Sequence, residues 1–120
     1  MRIFYILFFI IAFSFANIAF AQSAQTPEEL RAEAFTKVKI GTELMGKASD
    51  LLSRGVEESS IKAGISLYAQ AGKLFQEAYN VLNYLGEDYV SATDLKGTSQ
   101  AMQSCIQAIN GLKEAMIQQQ

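Results

Sequence analysis

The sequence predicts an all-α protein: an antiparallel, up-down-up three-helix bundle with helices at about 27–54, 57–86 and 91–117, following an N-terminal signal peptide. Apolar residues recur at alternating steps of three and four in three successive segments, which is the spacing of one face of an α-helix. Only a few residues separate the segments, and links that short place consecutive helices antiparallel. No segment shows the alternating pattern of a β-strand.

The first 21 residues have the three parts of a secretory signal peptide. Arg2 gives a basic start, residues 3–20 carry no charge and are mostly apolar, and the A-F-A motif at 19–21 offers small residues where a signal peptidase reads. We therefore expect cleavage after this motif, export to the bacterial periplasm or medium, and a single helical domain at 22–120. Because about 18 apolar residues can just span a bilayer, an uncleaved N-terminal anchor in the inner membrane is the alternative.

The first predicted helix has a clear start. Thr26 can cap it with its hydroxyl, Pro27 suits the first helical position, and Glu29 completes a capping box. We expect Gly55 to end the helix in the left-handed conformation that closes many helices. The predicted inner face consists of Leu30, Ala34, Val38, Gly41, Met45, Ala48 and Leu52.

The second predicted helix is the centre of the domain, and its start is the least sharply marked. Its apolar positions form two adjacent rows, and so broad a stripe suits a helix that packs between two neighbours. Gly86 follows the last apolar position and is expected to end the helix. One row is Ile61, Ile65, Tyr68, Ala71, Phe75, Ala78, Leu82 and Leu85, and the other is Leu67, Leu74 and Val81.

The third predicted helix begins after Ser91, a cap with Asp94 at the third helical position. Cys105, the only cysteine, lies on the apolar stripe of this helix. It has no partner for an internal disulfide, so we expect a buried thiol. The stripe is Leu95, Thr98, Met102, Cys105, Ile109, Leu112 and Met116.

Six glycines fall inside the predicted helices, where each costs about 1 kcal/mol relative to alanine. We expect Gly41 and Gly64, on or beside the inner faces, to allow close approach of two helices. The pattern offers no packing reason for the other four, which are Gly46, Gly72, Gly97 and Gly111.

The composition excludes several kinds of chemistry. The sequence contains no histidine, the commonest general base and the commonest metal ligand. Ser–His and Cys–His nucleophiles and Cys/His zinc sites therefore cannot form. The acidic pairs at 57–58 and 87–88 lack the ligand spacing of a calcium loop. We expect no enzymatic activity, no metal and no cofactor.

The charge balance bears on the partners. After residue 21 the chain carries nine basic and twelve acidic residues, a mildly acidic balance with both signs mixed. This balance argues against binding to nucleic acid or to an anionic membrane surface. We therefore expect no nucleic-acid partner and no membrane association after signal cleavage.

The candidate recognition residues are tyrosines and glutamines. Tyr79 and Tyr84 fall off the apolar stripe of the second helix and Tyr89 lies in the following turn, where they either cover the end of the bundle or bind a partner. Gln103 and Gln107 belong to an uncharged polar face of the third helix. We interpret the protein as an exported, non-enzymatic cell-envelope adaptor or accessory subunit that binds an unidentified protein. The alternatives are a small-ligand carrier with a pocket between helices and a structural homodimer joined at the glutamine-rich face.

Overall fold

In a computed structural model, which describes residues 25–118, the chain forms three long α-helices. They are α1 (Pro27–Ser53), α2 (Glu58–Leu85) and α3 (Ala92–Gln118). The all-α prediction is confirmed, and each predicted boundary lies within one residue of the observed one. The predicted signal peptide at 1–21 lies outside the described residues. Among the described helices, none has the length and apolar character needed to cross a membrane.

Side-chain caps begin two of the three helices. Thr26 Oγ1 accepts a hydrogen bond from the Glu29 N–H at 3.2 Å. Ser91 Oγ accepts one from the Asp94 N–H at 3.1 Å, so both predicted caps are confirmed. The residue before α2 is Glu57, whose side chain makes no capping hydrogen bond. The start of α2 therefore lacks the local signal that marks α1 and α3.

The end of α1 differs from the prediction. Arg54 caps α1 in the right-handed helical conformation (φ −86°, ψ −18°), and its N–H donates to the Leu51 carbonyl. Within 25–118 the only residue with a positive φ is Gly86, at 78°. The prediction that Gly55 adopts the left-handed conformation is therefore wrong. This hydrogen bond reaches back three residues instead of four and tightens the last turn of α1. The helix therefore ends without the conformational freedom of glycine.

Glycine brings α1 and α2 close together. A Cβ atom built on Gly41 would lie 3.0 Å from Cζ of Phe75, and one on Gly64 would lie 3.1 Å from Cδ1 of Leu52. Both expected close approaches are therefore present. Leu52 comes after Gly41 in α1, whereas its partner Gly64 comes before Phe75 in α2. The two helices therefore run in opposite directions.

The second helix packs along both of its neighbours, as predicted, whereas α1 and α3 share no extensive interface within the described residues. Two groups of buried side chains pack around α2. Near the α2–α3 turn the group is Ala34, Ala78, Leu82 and Val90, and in the middle of the molecule it is Ala71, Phe75 and Cys105.

The third helix is less buried than its apolar stripe predicted. Only Thr98 and Cys105 of that stripe are buried, and the other five residues are half-buried. The reason is that α3 packs extensively on one helix rather than on two. The buried Thr98 hydroxyl donates to the Asp94 carbonyl at 2.8 Å, which satisfies it without a tertiary partner.

Candidate functional site

The turn between α2 and α3 is fixed by one glycine. Gly86 has φ 78° and ψ −175°, a conformation that is essentially restricted to glycine. Its carbonyl accepts hydrogen bonds from the N–H groups of Tyr89, at 3.1 Å, and Val90, at 3.0 Å. Val90 is buried against α1 and α2, so the turn that carries Tyr89 is attached to the core.

The three candidate tyrosines differ in exposure. Tyr84 is 76% exposed and Tyr89 is 40% exposed, whereas Tyr79 is half-buried. Neither the Tyr84 nor the Tyr89 hydroxyl has a hydrogen-bond partner among residues 25–118. Tyr84 and Tyr89 can therefore contact a partner without rearrangement, while much of Tyr79 is already covered by the domain.

Acidic residues outnumber basic ones at the end of the molecule that holds these tyrosines. Ala34 of α1 shares a buried group with Leu82 and Val90, so the start of α1 lies at the same end of the molecule as the α2–α3 turn. We call this region, residues 25–35 and 79–96, the tyrosine end. It carries six acidic and two basic residues, whereas the rest of 25–118 carries six acidic and seven basic residues. The acidic ones are Glu28, Glu29, Glu33, Glu87, Asp88 and Asp94, and the basic ones are Arg31 and Lys96.

One of the two basic residues is engaged within α1. The Arg31 guanidinium carbon lies 5.6 Å from the centre of the Phe35 ring, within the range of a cation–π contact. The excess of carboxylates therefore gives the tyrosine end a negative potential, while the remainder of the described domain is close to neutral.

The candidate glutamines form a separate surface. Gln103 and Gln107 are both exposed on α3. Gln103 lies eleven residues beyond Ala92, which corresponds to about 16 Å along the helix axis. The structure therefore places the predicted residues in two surfaces rather than in one site.

Sequence reasoning missed two exposed isoleucines beside this glutamine surface. Ile106 is 52% exposed and Ile117 is 70% exposed. Eleven residues complete about three helical turns, so both side chains lie on one side of α3. The eleven-residue spacing of these two isoleucines is the feature of the sequence that could have predicted them.

The helix-interior glycines leave little empty space where helices meet. The places that side chains would take at Gly41 and Gly64 are occupied by Phe75 and Leu52. At Gly72 an added Cβ would make ordinary contact with Cys105, 3.4 Å away. The remaining three glycines in the helices, at 46, 97 and 111, face open space.

The thiol and the carboxylates of the described residues form no reactive cluster. Burial raises the pKa of the Cys105 thiol above its ordinary value of 9.0, so the thiol stays protonated at neutral pH and is a poor nucleophile. Within 25–118, no three residues of the types His, Cys, Asp and Glu lie close enough to hold a metal ion.

Comparison with known proteins identifies no relative: no protein-family model matches the chain, and neither does any curated protein or solved structure. The function is therefore inferred from the residues and their arrangement.

Proposed function

We propose that the protein is exported and acts without catalysis, by binding another protein at the tyrosine end, as a cell-envelope adaptor or accessory subunit. The observation that carries this proposal is the 76% exposure of Tyr84 at the end of α2, five residues before Tyr89 on a turn attached to the core. Tyrosine is enriched in protein interfaces because a rigid amphipathic ring buries a large area at a small cost in entropy.

The charge of the tyrosine end defines the partner that suits it. Six carboxylates against two basic groups favour a protein surface that presents lysine or arginine. A cation of that surface can also stack on the exposed ring of Tyr84. Because these charges are exposed, we expect association to be slower and weaker at high ionic strength.

Export is supported by the basic start, the apolar run and the A-F-A motif of residues 1–21. A cleaved signal would release the domain, and an uncleaved segment would tether it to the inner membrane. In both cases Arg2 favours a cytoplasmic N-terminus, which places residues 25–118 outside the cytoplasm. The partner is therefore expected in the envelope.

The test is co-purification of the full-length, C-terminally tagged protein from the envelope fraction of its host after mild crosslinking. The variant is the double substitution Tyr84→Ala/Tyr89→Ala. The control is Ile40→Ala, which removes from α1 an apolar side chain about as exposed as Tyr89, at 42% against 40%. We expect one envelope protein to be recovered with the wild type and the control, and lost with the double variant.

Two results would contradict the proposal. Recovery of the same protein with the tyrosine variant would exclude the tyrosine end as the binding site. Recovery of the tagged protein alone, under all crosslinking conditions, would leave the adaptor role without a partner.

A further inference from the structure

The outward side of α3 has chemistry that is complementary to itself. Six exposed residues recur there at steps of four and three, on the side of the helix opposite the buried Cys105. A basic residue begins the row, an acidic residue ends it, and four amides lie between them. We call this row, Lys96, Gln100, Gln103, Gln107, Asn110 and Glu114, the amide face.

We propose that two copies of the protein associate through their amide faces, with the two α3 helices antiparallel about a two-fold axis level with residue 105. This inference goes beyond the proposed function, since it uses a surface that shares only Lys96 with the tyrosine end and does not involve Tyr84 or Tyr89. It needs no second kind of protein.

The register follows from the charges. A two-fold axis places each residue opposite the one equally far on the other side of 105. Lys96 then lies opposite Glu114 of the second copy, and this pair occurs twice. Neither residue makes an ion pair within the described part of the chain, so both charges are available. A parallel arrangement would instead place lysine beside lysine, which disfavours it.

The side-chain amides also form matching pairs across the same two-fold axis. Gln100 lies opposite Asn110 of the second copy, and Gln103 lies opposite Gln107. Each side-chain amide both donates and accepts hydrogen bonds, so every such pair is self-consistent in either orientation. Residues 97 to 112 include no Asp, Glu, Lys or Arg, and the depletion of charge is a feature of interface centres.

The two flanks of the amide face are also suitable. Ile106, which is 52% exposed, lies one residue from the axis on one flank, so it meets Ile106 of the second copy and forms an apolar contact at the edge of the interface. On the other flank, a Cβ atom added at Gly97 or Gly111 would meet nothing within 4 Å. The bare backbone there lets a second helix approach closely. With one isoleucine per copy on that flank, we expect a reversible dimer rather than a permanent one.

The register is tested by disulfide crosslinking of the full-length protein in the exporting cell, with Ile106→Cys as the test and Ile117→Cys as the control. Cys105 has no exposed surface and does not interfere. Random collisions would favour the control, since Ile117 is more exposed, at 70% against 52%. The proposed axis brings two copies of residue 106 together and keeps two copies of residue 117 apart. We expect a disulfide-linked dimer mainly with Ile106→Cys, and equal or greater yield with Ile117→Cys would overturn the proposal.

Charge reversal gives a second, independent readout in the Ile106→Cys background. Lys96→Glu or Glu114→Lys alone would place like charges at both ends of the interface, and we expect the dimer to weaken about tenfold. The double substitution Lys96→Glu/Glu114→Lys restores opposite charges and should restore the yield. Because both positions are exposed, the thermal midpoint of the monomer should stay unchanged. Failure of the double variant to recover would exclude this register.

Discussion

Gly41 of α1 and Phe75 of α2 are in direct apposition: a Cβ atom at Gly41 would lie 3.0 to 3.3 Å from three atoms of the aromatic ring. The ring is 1% exposed and lies in the buried group at the middle of the molecule. The missing side chain on one helix therefore makes room for the largest buried side chain on the other. The helical cost of this glycine is offset by packing.

Two glycines of α1 should respond oppositely to alanine. Gly41→Ala should lower the free energy of unfolding by about 1 kcal/mol, because overlap with a closely packed ring outweighs the gain in helix propensity. Gly46→Ala should raise it by about 1 kcal/mol, since its Cβ would meet open space. Urea titrations followed by circular dichroism measure both. If both substitutions stabilised the protein, the Phe75 ring would be shown to move aside at little cost in free energy, and the prediction for Gly41→Ala would be wrong.

Truncation of the central aromatic should be costly. We expect Phe75→Ala to lower the free energy of unfolding by roughly 3 to 5 kcal/mol, the usual effect of deleting a buried phenylalanine side chain. Tyr84→Ala removes an aromatic ring that is mostly solvated, and should change stability by less than about 0.5 kcal/mol. The two denaturation midpoints should differ clearly. Coincident midpoints would be incompatible with the packing of α2 described above.

The two loop glycines should also differ. Gly86→Ala should destabilise by roughly 1 to 3 kcal/mol, because φ 78° with ψ −175° is a conformation that side chains strain. Gly55→Ala should be neutral or slightly stabilising, since Gly55 has no positive φ and open space around it. Thermal melts of the two variants provide the comparison. A large loss of stability in Gly55→Ala would instead support the left-handed conformation that the sequence predicted for Gly55.

The stability of the domain should fall at alkaline pH through Cys105. Burial raises the pKa of its thiol above the 9.0 of an exposed thiol, so above that pH the unfolded chain loses a proton that the folded protein retains. The contribution is fully present below pH 9 and is lost as the pH rises through the folded pKa, by up to about 1.4 kcal/mol per pH unit. Unfolding free energies between about pH 7 and 11 measure it. Cys105→Ala should show a shallower decline, and identical profiles would contradict this assignment.

The helix boundaries could be predicted because their signals are local. Thr26 and Ser91 cap the residue three positions later, and Gly86 closes a turn within its own neighbourhood. Gly55 could not be predicted in the same way, because a glycine after a helix is compatible with both a left-handed and a right-handed last residue.

The depth of burial could not be predicted either. Spacing of three and four shows that α3 has an apolar face, but not how many neighbours cover that face. Met102 and Leu112 are only half-buried for that reason. The acidic excess of the tyrosine end could not be predicted for a similar reason. The carboxylates of 25–35 come near those of 79–96 only because α1 packs against α2.

The position of α2 between its two neighbours determines how the molecule opens. Since α1 and α3 each pack on α2 and share no extensive interface, we expect either outer helix to detach while the other hairpin stays formed. Amide protons in the middle of α2 would then exchange with solvent last, because both outer helices protect them. Those of α1 and α3 would exchange through separate partial openings. We therefore expect two overlapping units of stability that share a single helix.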